Sequence, residues 1–389
     1  MALDHTDEEL MLLDLVDRFV DEQLMPLEPE CIERVSNGEP LALLPDDEER
    51  LLALCKELGL WALDAPEELG GAGLPARVML PIHERLSRTV VPFRFPPDSP
   101  NLHMLMMAGN DDQKKRYMEP YAQGEMRSNI AISEPQAGAD PAAMLTRVER
   151  DGDEWIVNGR KIWISGAARA DFLLVMAVTT PGAGSKGITA FIVDTDTPGF
   201  TIERSIPMLG GIRTYELVFD DMRVPDANVL GEVDDGYAPM QHRLTSRRLE
   251  IGGTCIAYAE RSLRMMCEHV QDRVVFGETL ASKQAIQWWI ADSQINLHAT
   301  RLMVEDAVTK VDSGDDIRNE ASMLKIFATE MASEVVDKAM QSFGAMGMTQ
   351  EMPLFVMAQR LRMSRIYEGP SEAHRMVVAR RTMAKYPTT

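Results

Sequence analysis

The chain has 389 residues, carries a formal net charge of −21 and is 45% hydrophobic. That is enough apolar material for two or three domains with a large core, which excludes a disordered chain. The acidity argues against a nucleic-acid partner or an anionic membrane surface, though a local Arg cluster could still bind a small anion. No apolar run approaches the roughly 20 residues of a spanning helix, so no membrane insertion is expected. The opening MALDHTDEEL is acidic where a signal or transit peptide would be basic, so it reads as no targeting segment. Four cysteines (Cys31, Cys55, Cys255, Cys267) form no CxxC pair and read as reduced thiols of a cytoplasmic compartment.

In chain order, residues 1–125 read as an N-terminal α-helical domain. Leu10, Leu13, Val16 or Asp17, and Val20 lie near one face, and the pattern returns from Leu51 to Leu58 before Gly59. From 126 to 238 the period falls to two, which predicts a middle antiparallel β-domain. EWIVNGRKIWIS reads as a hairpin turning at Asn158-Gly159, and DFLLVMAV, GITAFIV, FTIERSI and TYELVFDDMRVP read as further strands. Residues 239–389 return to helix. Ile256, Ala259, Leu263, Met266 and Val270 form one stripe, and Leu324, Phe327 or Ala328, Met331, Val335 and Ala339 another. With breaks at Gly277, Ser313-Gly314 and Gly344–Gly347, this predicts a C-terminal four-helix bundle. The fold class is therefore α+β, ordered helix, β, helix.

Several chemical motifs are missing. GAGSKG (182–187) lies between strands rather than between strand and helix, and reads as a hairpin loop. The seven histidines include no HExxH pair, so no metal site is expected. No GxSxG elbow is present, and no GxGxxG stands between a strand and a helix as a Rossmann nucleotide site requires. In RIYEGPSEAHR, Glu368 enters a Gly-Pro turn just before a helical pattern. Such an acid is either a surface residue favoured by the positive end of the following helix, or a general base aimed into a pocket.

AISEPQAGAD (131–140) and KIWIS (161–165) are where the chain resembles the acyl-CoA dehydrogenase family. The resemblance continues in register through RVVFG (273–277), Lys283-Gln284, QSFGAMG (341–347) and RIYEGPSE (365–372). It implies FAD as cofactor. The first stretches would run along the flavin through Ile132, Ser133, Ala139, Trp163, Ile164 and Ser165. Arg273, Phe276 and Gln284 would meet the FAD of a neighbouring subunit, and Gln341, Gly344 and Ala345 its adenosine end. Pro370 and Glu372 would stand beside the flavin as well. Glu368 matches the catalytic glutamate. Ala139, Thr245, Arg248, Tyr367 and Gly369 would border the acyl-CoA, Arg248 near the CoA moiety.

The implied reaction is α,β-dehydrogenation of an acyl-CoA to the trans-2-enoyl-CoA. Glu368 would take the α-proton, its own amide would help hold the thioester oxygen, and the β-hydrogen would pass as hydride to flavin. The resemblance also implies a homotetramer and an electron-transfer flavoprotein as acceptor. The ending GPSEAHR resembles a branch acting on longer or branched chains. Some relatives carry their base on the first C-terminal helix, but the matching position here is Arg247. Other departures are Ala139 for a usual Ser or Thr, Gln136 and Ala345 for usual glycines, Pro370 for a Thr and Glu372 for a frequent Gln. Two further readings remain at this point: an acyl-CoA oxidase using oxygen, and a catalytically silent acyl-CoA-binding partner subunit.

Overall fold

The computed structural model describes residues 5–386; residues 1–4, the head of the acidic opening stretch, and 387–389 lie outside the described residues. Seven helices come first: α1 (Asp7–Phe19), α2 (Glu28–Ser36), α3 (Pro45–Glu57), α4 (Ala76–Leu86), α5 (Ser99–Ala108), α6 (Asp111–Gln113) and α7 (Glu119–Gln123). A capping box starts α1: Glu9 N–H donates to Thr6 Oγ1 at 3.2 Å and Thr6 N–H to the Glu9 carboxylate at 3.0 Å. Leu13, Val16 and Val20 are buried as their spacing predicts, whereas Leu10 is half exposed because the first turn of α1 overhangs the core.

A single sheet follows, made of β1 (Ser128–Ala131), β2 (Arg147–Asp151), β3 (Glu154–Ser165), β4 (Phe172–Val178), β5 (Ile188–Asp194), β6 (Phe200–Pro207), β7 (Arg213–Pro225) and β8 (Val229–Leu230). The order is β6-β7-β3-β2-β4-β5-β8, with β1 alongside β4. Pairing is antiparallel except where β1 and β2 meet β4 in parallel, the β2–β3 hairpin serving as the crossover. The apolar run of β4 feeds two cores. Phe172, Leu174 and Met176 pack with Leu102, Tyr117 and Tyr121, while Leu173, Val175 and Ala177 pack with Trp155, Val157 and Leu217.

The Asn158-Gly159 turn is a correction. β3 runs straight through it, and the reversal sits one strand-length earlier at Gly152, with φ 64°. Asn158 instead clamps a β-bulge against β7, exchanging hydrogen bonds with Asp221 N–H (2.9 Å) and Asp221 Oδ1 (3.0 Å). Gly159 is needed because the residue leading into β2 comes so close: a Cβ there would stand 2.4 Å from Thr146 Oγ1 and 2.6 Å from its Cα.

The C-terminal region holds α8 (Tyr237–Asp272), a two-stranded hairpin β9 (Val274–Val275) and β10 (Glu278–Thr279), α9 (Gln284–Asp312), α10 (Arg318–Phe343), α11 (Pro353–Ser364) and α12 (Ser371–Ala384). Both predicted stripes are buried, and α10 packs against α8, α9, α11 and α12. The last of the four expected rods is thus broken into α11 and α12, and the break is the turn that carries Glu368. Cys31, Cys55 and Cys255 are buried free thiols, burial pushing those of Cys55 and Cys255 up to about 12.

Gly159→Ala should lower unfolding stability by about 3 kcal/mol or more, because the methyl meets backbone that cannot yield. Gly152→Ala, where a Cβ meets nothing within 4 Å, should cost only about 1–2 kcal/mol for its left-handed backbone. Denaturant unfolding of both variants checks this; the reverse ranking would restore Asn158-Gly159 as the turn.

Candidate active site

Glu368 lies in the six-residue interval between Ser364 and Ser371, in the left-handed region at φ 56°, followed by Gly369 at φ 93°. A non-glycine residue holds that conformation only where its surroundings over-determine it. Here three elements do so. The Glu368 carbonyl accepts from Arg248 Nε of α8 at 3.0 Å and from His374 Nε2 of α12 at 3.1 Å. The Gly369 carbonyl accepts from Lys325 Nζ of α10. His374 Nδ1 is in turn bonded to Ser322 Oγ on α10 at 3.0 Å. A side chain at position 369 would collide with His374, its Cβ falling 2.8 Å from Nε2, so the glycine is required.

The Glu368 side chain turns inward and is 16% exposed. Its Oε1 accepts from Arg243 Nη1 at 3.0 Å, and its Oε2 is buried with no hydrogen-bond partner. Arg243 is itself fixed by Asn101 of α5, whose Oδ1 accepts from Nε at 3.1 Å. The apolar pair Ile366-Tyr367 does not roof the acid: both residues are about half exposed, and the inward aim comes from the turn instead.

Burial shapes the charges around this point. It pushes Lys325 down to about 8, with Arg248 adding to the effect, and His374 down to about 4, again with help from Arg248. It also lowers Arg248, against the pull of Glu368. One turn away on α8, Arg247 binds Asp98 and Glu250, and Arg94 binds Glu250 at 2.8 Å. Burial would raise Asp98, but Arg247 and Arg243 override it and hold the carboxyl at about 2.

The loop 131–140 and the end of β3 are joined by a buried ion pair, Lys161 Nζ to Glu134 Oε1 at 2.8 Å. Burial takes Lys161 down to about 8 against the pull of Glu134. Glu134 also accepts from the Thr146 N–H at 3.0 Å, from the Leu145 N–H and from Gln136, while Lys161 donates to the Ile132 carbonyl at 3.0 Å. Beside this anchor a bulge between Lys161 and Ile164 puts Trp163 at φ 65° and leaves its indole 49% exposed. Ser165 and Ala139 are exposed and Ile132 and Ser133 partly so. The Ile164 side chain points into the sheet core, leaving only its backbone to face a ligand. Tyr237, at the start of α8, is raised chiefly by burial, with Asp140 adding and Arg248 opposing, which links the loop electrostatically to α8.

One chain therefore gathers Glu368, Gly369 and Arg248, with Pro370 as the cap of α12 and Thr245 one turn below. The Thr245 hydroxyl already donates to the Gln241 carbonyl at 2.8 Å, and Glu372 points to solvent. Arg273, Phe276, Gln284, Gln341, Gly344 and Ala345 are not brought to this point. They cluster at the other end of the bundle, where His269 stacks on Phe343 with centroids 4.2 Å apart. Arg248 and Arg273 are 25 positions apart on and just past α8, about 37 Å along its axis. Phe276 stands fully exposed at the tip of the β9–β10 hairpin.

Sequence reasoning missed Glu134, Lys161, Arg243, Lys325 and His374. A signal exists for Lys161, a charge on the inward phase of β3, and for Lys325 and Arg243, which interrupt buried helix faces. None of these positions reveals its partner, which comes from a remote element.

The chain matches the models for the acyl-CoA dehydrogenase N-terminal domain over residues 6–125, the middle domain over 129–222 and the C-terminal domain over 234–383. It is similar to (R)-benzylsuccinyl-CoA dehydrogenase of Thauera aromatica, 38% identical with 97% of this chain and 96% of the relative covered. It is also similar to the bovine mitochondrial short-chain specific acyl-CoA dehydrogenase, 34% identical over 89% and 86%. The structure of butyryl-CoA dehydrogenase from Megasphaera elsdenii superposes with a TM-score of 0.87 at 28% identity, covering 98% of this chain and 100% of the other. With all three domain models in register along one chain, the protein belongs to the acyl-CoA dehydrogenase family of FAD-dependent oxidoreductases.

Proposed function

We propose that Glu368 is the base that removes the α-proton of an acyl-CoA thioester, committing the chain to α,β-dehydrogenation. The observation carrying this reading is the carboxylate itself: turned inward, held through one oxygen by Arg243, with Oε2 buried and unpartnered. Buried carboxylate oxygens are ordinarily hydrogen-bonded, so an orphan one is a feature to be explained. A base needs a fixed position more than it needs intrinsic strength, because the α-C–H is a weak acid and alignment supplies much of the rate. The grips of Arg248, His374 and Lys325 on the turn supply that position, and they leave the Glu368 amide as the donor proposed for the thioester oxygen.

The residues present fit FAD. Trp163 presents an indole on a strained, outward-turned backbone, Ser133 and Ser165 carry hydroxyls beside it, and at Gly138 a Cβ would meet nothing within 4 Å. When bound, the flavin supplies acceptance of the β-hydrogen as hydride. The Glu134–Lys161 pair keeps the two flavin-flanking stretches in register. An electron-transfer flavoprotein is the proposed onward acceptor.

Arg273, Phe276 and Gln284 are proposed to complete the cofactor site of a second copy. Their distance from Glu368 supports this, as does the apolar stripe on α9 formed by Trp288, Ile295 and Leu302, each 44% exposed or more at intervals of seven residues. A homotetramer is the proposed assembly.

Glu368→Gln should retain flavin and lose turnover by about 10³-fold or more, read as bleaching of the flavin absorption on anaerobic addition of acyl-CoA; near-normal bleaching would remove the assignment. Arg273→Ala should purify with markedly less FAD, measured as the ratio of flavin to protein absorbance, and full flavin content would remove the cross-subunit role. His374 gives a pH prediction. Its folded value of about 4 lies below the ordinary 6.5, so the unfolded chain binds the proton that the folded one refuses. Stability is therefore full above about pH 6.5 and falls as the pH drops toward 4, by about 2 kcal/mol at pH 5. Thermal unfolding at pH 7.5 and 5 should show this loss in the native chain and a smaller one in His374→Gln.

A further inference from the structure

Arg243 is the member of the site that dehydrogenation of a plain alkyl chain does not require. Its side chain is 7% exposed and its guanidinium lies 3.0 Å from the oxygen of the base. A carboxylate oxygen bonded to a guanidinium is not free to turn toward a substrate's α-hydrogen. An alkyl chain entering the site has nothing to offer Arg243 in exchange, so freeing Glu368 would strand a buried cation. The surroundings cannot supply the missing anion. Arg94, Arg243, Arg247, Arg248 and Lys325 face Asp98, Glu250, Glu368 and the exposed Glu372, five cations to four carboxylates, in a chain whose net charge is −21. Asp98 and Glu250 are already held by Arg247 and Arg94.

Building on the assignment of Glu368 as base, we propose that the acyl group carries a free carboxylate and that Arg243 binds it, making the substrate the CoA monothioester of a short dicarboxylic acid. The incoming carboxylate takes the place of Glu368 on Arg243. A matching substrate thus satisfies the guanidinium and releases the base in one exchange. Arg243 has the donors for this exchange. Of its five N–H groups one is bonded to Asn101 and one to Glu368, so a planar fork remains for a bidentate partner. The spacing bounds the chain length. The base oxygen and the guanidinium stand only 3.0 Å apart, so the α-carbon and the carboxylate they serve belong to one short acyl chain.

The test compares glutaryl-CoA with valeryl-CoA, equal in carbon number, on the FAD-loaded protein under anaerobic conditions. The ratio of their kcat/KM values should favour glutaryl-CoA by about 100-fold or more. Arg243→Gln should collapse that ratio, by raising KM and lowering kcat for glutaryl-CoA together, and Arg243→Lys should recover part of it. A ratio near one in the native protein, or one unchanged in Arg243→Gln, overturns the proposal. Binding to the Glu368→Gln protein by calorimetry separates this from the base assignment, since it needs no turnover. Glutaryl-CoA should bind at least about 10-fold tighter than valeryl-CoA there, and equal affinities overturn the carboxylate site even if Glu368 is the base. Glutaryl-CoA bound tighter, with no acyl-CoA from succinyl to adipyl or their alkyl counterparts bleaching the flavin, would uphold the carboxylate site while overturning the base assignment.

Discussion

The site depends on two carbonyl oxygens. Residues 364–371 could have continued α11 into α12 as one rod; instead the chain breaks, enters the left-handed region at Glu368, and stays there because Arg248, His374 and Lys325 hold the carbonyls of Glu368 and Gly369 from three helices. Backbone strain of this kind costs on the order of 1–3 kcal/mol, and the large C-terminal core is what can bear it. The donors are chosen for reach as much as charge. A long Arg and a long Lys cross from α8 and α10, and a short imidazole closes from α12.

The same logic appears in the β-domain. Glu134 and Lys161 sit where a sheet would ordinarily bury apolar side chains, and their mutual bond, with backbone N–H groups from Leu145 and Thr146, makes the burial tolerable. An ion pair so placed is a poor source of stability but fixes geometry well, because removing either partner strands the other. Two strained residues, Trp163 and Glu368, are thus each braced by a buried charge network, one in the sheet and one in the bundle.

Much of this was legible in the sequence, and the limits have physical causes. Helical and two-residue periods reflect burial on one face, so the helix, β, helix order and the stripes of α8 and α10 could be read directly. Asn158-Gly159 misled because glycine is favoured in a bulge as well as in a turn; here Asn158 keeps a negative φ, and Gly159, at φ 156°, is set by the approach of Thr146. Leu10 misled because periodicity names a face without saying where its neighbour ends. Glu368 was visible as one of two alternatives, and the ordered motifs tipped the choice. Arg243 was invisible as a partner of Glu368, since 125 residues separate them and no local pattern ties an arginine on α8 to a turn after α11.

The length of α8 has one more consequence. It carries Arg243 and Arg248 near its start and leads to Arg273 and Phe276 at its end, so under the cross-subunit cofactor site proposed above a chain would lend one end to its own site and the other to its neighbour's, and could not be judged defective or sound by itself. Damage to the two ends would segregate genetically. A subunit lacking its base and a subunit lacking its cofactor arm, each inert in uniform assemblies, would between them rebuild one intact centre when mixed. The helix would thereby make the heritable unit of function the pair of chains rather than the chain.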